Sequence, residues 1–106
     1  MSENVINISD NGFNDIITNN KLVVVDFFAT WCGPCRALSP YIGELSANNH
    51  HILFAKANID ETPVIANELD VKSLPCVIIF ENGKEINRVV GFNKQKLQAT
   101  IENLSE

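Results

Sequence analysis

Apolar residues along this chain fall into two rhythms that alternate. Val5 to Ile8 carries a short apolar alternation, followed by the turn-forming and capping residues Ser9-Asp10-Asn11-Gly12 and then by Phe13, Ile16 and Ile17 at helical spacing. Leu22 to Phe28 is β-branched and aromatic without polar alternation, the mark of a strand covered on both faces, and it is expected at the centre of a sheet. From Gly33 to about Ala47, Leu38, Tyr41, Ile42 and Leu45 recur every three or four residues, which predicts an amphipathic helix. Pro40 has no N–H for the carbonyl of Arg36, so it should kink this helix; the apolar period runs on across it, so it should not end it.

The same alternation continues downstream. Ile52 to Ala55, with Ile59, reads as a buried strand, and Thr62-Pro63 as an N-cap and first helical residue leading into Val64 to Leu69. Cys76 to Phe80 and Ile86 to Val90 read as two strands joined by a hairpin turn at Asn82-Gly83, closed by Gly91, and Leu97, Ile101 and Leu104 as a last amphipathic helix. The order βαβαβαββα implies an α/β protein with a mixed sheet, parallel where helices intervene and antiparallel across the hairpin, with helices on both faces. In such sheets, chemistry gathers beyond the carboxyl ends of the strands, and Cys32 follows closely after Phe28.

Composition narrows the function. The 106 residues suit one domain, 1–106, and 45% hydrophobic with 20% charged is ordinary for a globular protein. A net charge of −5 gives no electrostatic reason to approach nucleic acid or an anionic membrane. The opening Met1-Ser2-Glu3-Asn4 lacks a basic signal region and no run reaches spanning length, so a cytoplasmic protein is expected. In that compartment three cysteines argue against a structural disulfide framework, and a close pair reads as redox or metal chemistry.

That pair lies in Trp31-Cys32-Gly33-Pro34-Cys35. Cysteines three apart on one helical turn need only a modest tightening to bond, so the bond can form and break without unfolding the chain. The helix N-terminus favours a thiolate on Cys32 over Cys35, one turn inside, which makes Cys32 the attacking and Cys35 the resolving thiol. Gly33 lets a partner's backbone approach, Pro34 stiffens the turn, and Trp31 is read as an exposed apolar shoulder over the reacting sulfurs in preference to a core residue.

Trp-Cys-Gly-Pro-Cys after a buried Val-Asp-Phe strand, with Pro40 and a downstream Leu-Pro in order, resembles the thioredoxin family along essentially the whole chain. The resemblance implies the thioredoxin fold, a central mixed five-stranded sheet with four flanking helices. It implies a protein-disulfide reductase maintaining cell redox homeostasis, without bound cofactor or metal. Such a reductase is recharged by thioredoxin reductase at the expense of NADPH, acts as a monomer, and serves proteins such as ribonucleotide reductase, peroxiredoxins and methionine sulfoxide reductases.

It also assigns residues. Asp26 matches the family's buried carboxylate, expected to titrate high and to act as base for Cys35. Lys56 matches the lysine beside that acid, and the rival reading is a pair kept only for mutual solvation. Pro75 matches the family's cis-proline facing the disulfide, where with Leu74 the backbone would hold an extended substrate segment, and Val90, Gly91 and Phe92 match a loop framing the same groove. Three positions depart from the pattern: Phe28 replaces a common tryptophan, Arg36 a common lysine, and Cys76 a common threonine. Cys76 is read chiefly as a small buried strand residue, with a regulatory thiol near the groove as the sharper alternative. Three other functions are weighed: a metal site using Cys32, Cys35, Cys76 and His50 or His51, a non-catalytic binding module, and a glutaredoxin-like or isomerase-like activity, against which the Gly-Pro between the cysteines favours a reductant.

Overall fold

The computed structural model describes residues 4–104; Met1, Ser2 and Glu3 of the opening stretch considered above lie outside the described residues. Nine elements follow one another: β1 Val5–Asn7, α1 Phe13–Asn19, β2 Leu22–Phe28, α2 Gly33–Asn48, β3 Leu53–Asn58, α3 Pro63–Glu68, β4 Cys76–Glu81, β5 Lys84–Val90 and α4 Lys94–Glu102. The sheet order is β1-β3-β2-β4-β5, so the unbroken apolar run of β2 does lie at the centre.

β1 and β2 run parallel to β3, and β4 runs antiparallel both to β2 and to β5. Antiparallel pairing therefore extends beyond the hairpin, because β4 adds to the free edge of β2, not to β3, its predecessor in the chain.

Strand alternation divides the core in two. Leu22, Val24, Phe54, Val77 and Ile79 pack with Leu38, Ile42 and Leu45 of α2 and Leu97 and Ile101 of α4. Val23, Val25, Phe27, Ala55, Cys76, Ile78 and Phe80 pack on the other face with Phe13 and Ile17 of α1 and Ile65 of α3. Asp26 falls in phase with Leu22 and Val24, so this buried carboxylate faces α2.

Pro40 lies inside α2 without ending it. Asn82 and Gly83 both take positive φ, 53° and 83°, as a two-residue turn matched to strand twist requires. β5 starts earlier than the apolar pattern suggested, at Lys84, because its first residues are charged edge positions. Leu104 lies beyond α4 yet packs partly buried against the α2 side of the core.

The helix starts differ from expectation in an instructive way. Gly12 occupies the cap position of α1 without a side-chain bond, and its N–H donates to Ser9 Oγ. Thr62 does precede α3, but its hydroxyl donates back to the Asn58 carbonyl at 2.9 Å and caps nothing. The free N–H groups of Val64 and Ile65 donate instead to the Asp10 carboxylate, at 3.3 and 3.0 Å. Asn93, which periodicity does not reveal, caps α4 through Lys96 N–H at 3.0 Å.

Candidate active site

The end of β2 delivers the chain through Ala29 and Thr30 to Cys32, the N-cap residue of α2, with Pro34 in the first turn. Cys32 and Cys35 are joined as a disulfide with Cα atoms 5.3 Å apart, within the ordinary span for such a bond. The backbone N–H of Cys35 donates to Cys32 Sγ at 3.2 Å, so the sulfur occupies the place a capping oxygen holds elsewhere. Cys35 is buried and Cys32 is 7% exposed.

Two cavities meet at this disulfide from opposite sides. On the outer side lies an open groove of about 450 Å³ lined by Trp31, Cys32, Gly33, Pro34, Ile59, Val71, Lys72 and Leu74. Trp31 is 66% exposed, and its Nε1–H donates to Asp60 Oδ2 at 3.1 Å, which holds the ring at the groove wall. Nothing in the fold crowds Gly33, so the molecule itself has no need of a missing side chain there.

The Leu74–Pro75 peptide is cis, and Gly91, at φ 86°, donates its N–H to the Pro75 carbonyl at 2.8 Å. That left-handed φ is costly for any residue with a Cβ. Val90 and Phe92 on either side are about half exposed.

On the inner side, a smaller cavity of about 170 Å³ is lined by Asp26, Phe28, Ala29, Thr30, Cys35, Arg36, Ser39 and Lys56. Burial pushes the Asp26 carboxyl up from 3.8 to about 7, and the Lys56 ammonium pulls it partly back. Asp26 Oδ1 is buried without a hydrogen-bond partner. Lys56 is the register neighbour of Asp26 on β3, and its Nζ lies 5.8 Å from the centre of the Phe28 ring. Phe28 thus supplies a face for the lysine where an indole is common. Arg36 spans the cavity mouth, its Nη1–H donating to the Thr30 carbonyl at 2.8 Å, a contact that the sequence did not signal.

Cys76 lies elsewhere. It shares the face of Ile78 and Phe80, turned from α2, is 1% exposed, and burial pushes its thiol up. It packs in a different buried cluster from Cys32 and Cys35, and the four-ligand metal arrangement with His50 or His51 is not assembled. Among the described residues no group of three His, Cys, Asp or Glu side chains converges.

A family model described as Thioredoxin matches residues 4–103. The chain belongs to the thioredoxin family. Thioredoxin-2 of Pyricularia oryzae is 45% identical over 98 residues, covering 92% of this chain and 56% of that protein. Thioredoxin-1 of Schizosaccharomyces pombe is 42% identical over 95 residues, 89% of this chain and 92% of its own length. The crystal structure of the thioredoxin NaTrxh from Nicotiana alata superposes with a TM-score of 0.93 at 37% identity, covering 100% of this chain and 96% of that one. As a thioredoxin with its cysteine pair bonded at the head of α2, the chain is a thiol–disulfide oxidoreductase.

Proposed function

We propose that this chain is a general reductase of protein disulfides, with Cys32 as nucleophile, Cys35 as resolving thiol and Asp26 as base. What carries the reading is the position of one disulfide between an open groove and a smaller cavity holding an acid that titrates near neutrality. In the reduced protein, the N–H groups at the head of α2 stabilise a Cys32 thiolate. The thiolate attacks a substrate disulfide, forming a mixed disulfide and expelling one substrate thiolate. Asp26 takes the proton from Cys35, whose thiolate then attacks Cys32 Sγ and expels the second. Two electrons have moved to the substrate, and the Cys32–Cys35 bond remains.

Lys56 tunes Asp26 from the adjacent strand. Trp31, Gly33, Pro34, Leu74, Pro75 and Gly91 form the surface that receives substrate backbone, and Cys76 serves packing. The chain works as one unit in the cytosol as a monomer. Thioredoxin reductase and NADPH regenerate the dithiol, and ribonucleotide reductase, peroxiredoxins and methionine sulfoxide reductases are among the substrates, as the family resemblance suggests.

Insulin reduction with NADPH and thioredoxin reductase tests this. Wild type should precipitate insulin rapidly, and Cys32→Ser should fall to the uncatalysed background, a loss on the order of a thousandfold or more, since the covalent step has no substitute. A Cys32→Ser variant equal to wild type would leave only the binding-module reading, and a chain served by glutathione alone would be a glutaredoxin in function.

A further inference from the structure

β5 contains a one-residue bulge: Ile79 pairs with Asn87 but Phe80 pairs with Glu85, which leaves Ile86 over. Residues three apart on a regular strand point to opposite faces, and the extra residue brings Glu85 and Arg88 onto one face. There they form a two-pronged pair, Arg88 Nε–H and Nη2–H donating to Glu85 Oε2 and Oε1 at 2.6 and 2.7 Å. The second Nη2 hydrogen goes to the Leu69 carbonyl at 2.9 Å. Leu69 closes α3, where backbone carbonyls lack helical partners.

The chain then turns at Asp70, φ 58°, and runs through Val71, Lys72 and Leu74, all of which line the groove beside Cys32. It is caught again at Pro75, whose carbonyl accepts from Gly91 N–H at 2.8 Å. The groove wall from 70 to 74 is therefore tied at its α3 end by Asp70 N–H on the Asn67 carbonyl at 3.1 Å and Val71 N–H on the Ala66 carbonyl at 2.9 Å, and to the β5 side by Gly91 and by Arg88, its side-chain anchor.

We propose that Arg88, oriented by Glu85 and the Ile86 bulge, is a positioning residue that sets the groove wall against the disulfide and so governs affinity for extended polypeptide substrates. The role needs a guanidinium, because a planar fork holds a carboxylate and a carbonyl at once while an ammonium fixes no such plane. It rests on the reductase reading above.

The full chain carrying Arg88→Ala or Arg88→Lys is compared with wild type in insulin reduction, and each reduced protein is also mixed with 5,5′-dithiobis(2-nitrobenzoic acid), a disulfide too small to need the wall. Arg88→Ala should raise KM for insulin about 3–10-fold, as loss of a charge-assisted bond implies, with kcat and the small-disulfide rate within about twofold of wild type. Arg88→Lys should fall between. An insulin KM within about twofold of wild type in Arg88→Ala overturns the proposal, as does a parallel fall of kcat and the small-disulfide rate. If Arg88→Ala does not fold, Arg88→Lys decides, and an unmoved KM overturns it. A wild type silent on insulin would instead overturn the reductase reading beneath.

Discussion

α2 and α3 begin alike and do unlike things. Each has a proline in its first turn and each has an aspartate near its head, yet only one is reactive. At α3 the Asp10 carboxylate arrives from the loop after β1 and takes two free N–H groups directly. At α2 the N–H of Cys35 is met by a sulfur, and the aspartate lies beneath, buried and with Oδ1 unpartnered. A carboxylate cap satisfies a helix end permanently. A sulfur cap satisfies it in a way that changes with the electron count, and the carboxylate beneath it titrates near 7, as the proposed base role requires. Placement of the acid, on the end or behind it, separates a structural helix start from a redox centre.

The contrast is sharpest in pH dependence. The folded-state pKa of Asp26 is raised from 3.8 to about 7, so the native protein binds a proton that the unfolded chain releases between those values. Below pH 3.8 Asp26 costs nothing. As pH rises toward 7 the cost grows by about 1.36 kcal/mol for each pH unit, reaching about 4 kcal/mol. Asp26→Asn, neutral throughout, should therefore match wild type in stability near pH 4 and exceed it by up to that amount at pH 8, while resolution of the mixed disulfide slows. Urea unfolding at the two pH values measures the first, and trapping of the mixed disulfide the second. Equal stability increments at both would mean that the buried acid is not where the extra proton is held.

A third sulfur, with no helix end at all, gives the next test. Cys76 is buried on the α1–α3 side of the sheet. Cys76→Ser should cost about 1–3 kcal/mol by burying a more polar hydroxyl among apolar strand residues, with insulin reduction within about twofold of wild type. Native Cys76 should resist iodoacetamide while reduced Cys32 reacts. Rapid labelling of Cys76 in the folded protein, followed by peptide mass mapping, would revive a regulatory role for it.

Element order and the reactive pair were legible because each depends on near neighbours: apolar period, prolines, the Asn82-Gly83 turn, and two cysteines one helical turn apart. The face of Cys76 was also open to reading, by counting alternate residues from Ile78 and Phe80. What stayed hidden joins distant positions. Asp10 caps a helix more than fifty residues away and Arg88 reaches back nineteen residues to Leu69, and neither leaves a periodic trace; Arg36 bonds Thr30 only six residues off, but through a side chain whose direction no apolar period fixes. The start of β5 was missed for a related reason, since charges on an edge strand look like a loop until pairing with β4 is known.

The smallest expected effect bears on the premise of the contrast, that the α3 cap is purely structural. Asp10→Ala leaves two N–H groups without their acceptor and should lower stability by about 1 kcal/mol, which for a chain of this size is roughly 4–8 °C in melting temperature. Asp10→Asn keeps an acceptor oxygen and should recover most of it. Activity should stay within about twofold, because Ile59 and Val71, the groove residues flanking α3, are held by their own backbone bonds to Phe28 and Ala66. If insulin reduction fell several-fold while the melting point barely moved, the head of α3 would belong to the site, and the two helix starts would differ in degree rather than in kind.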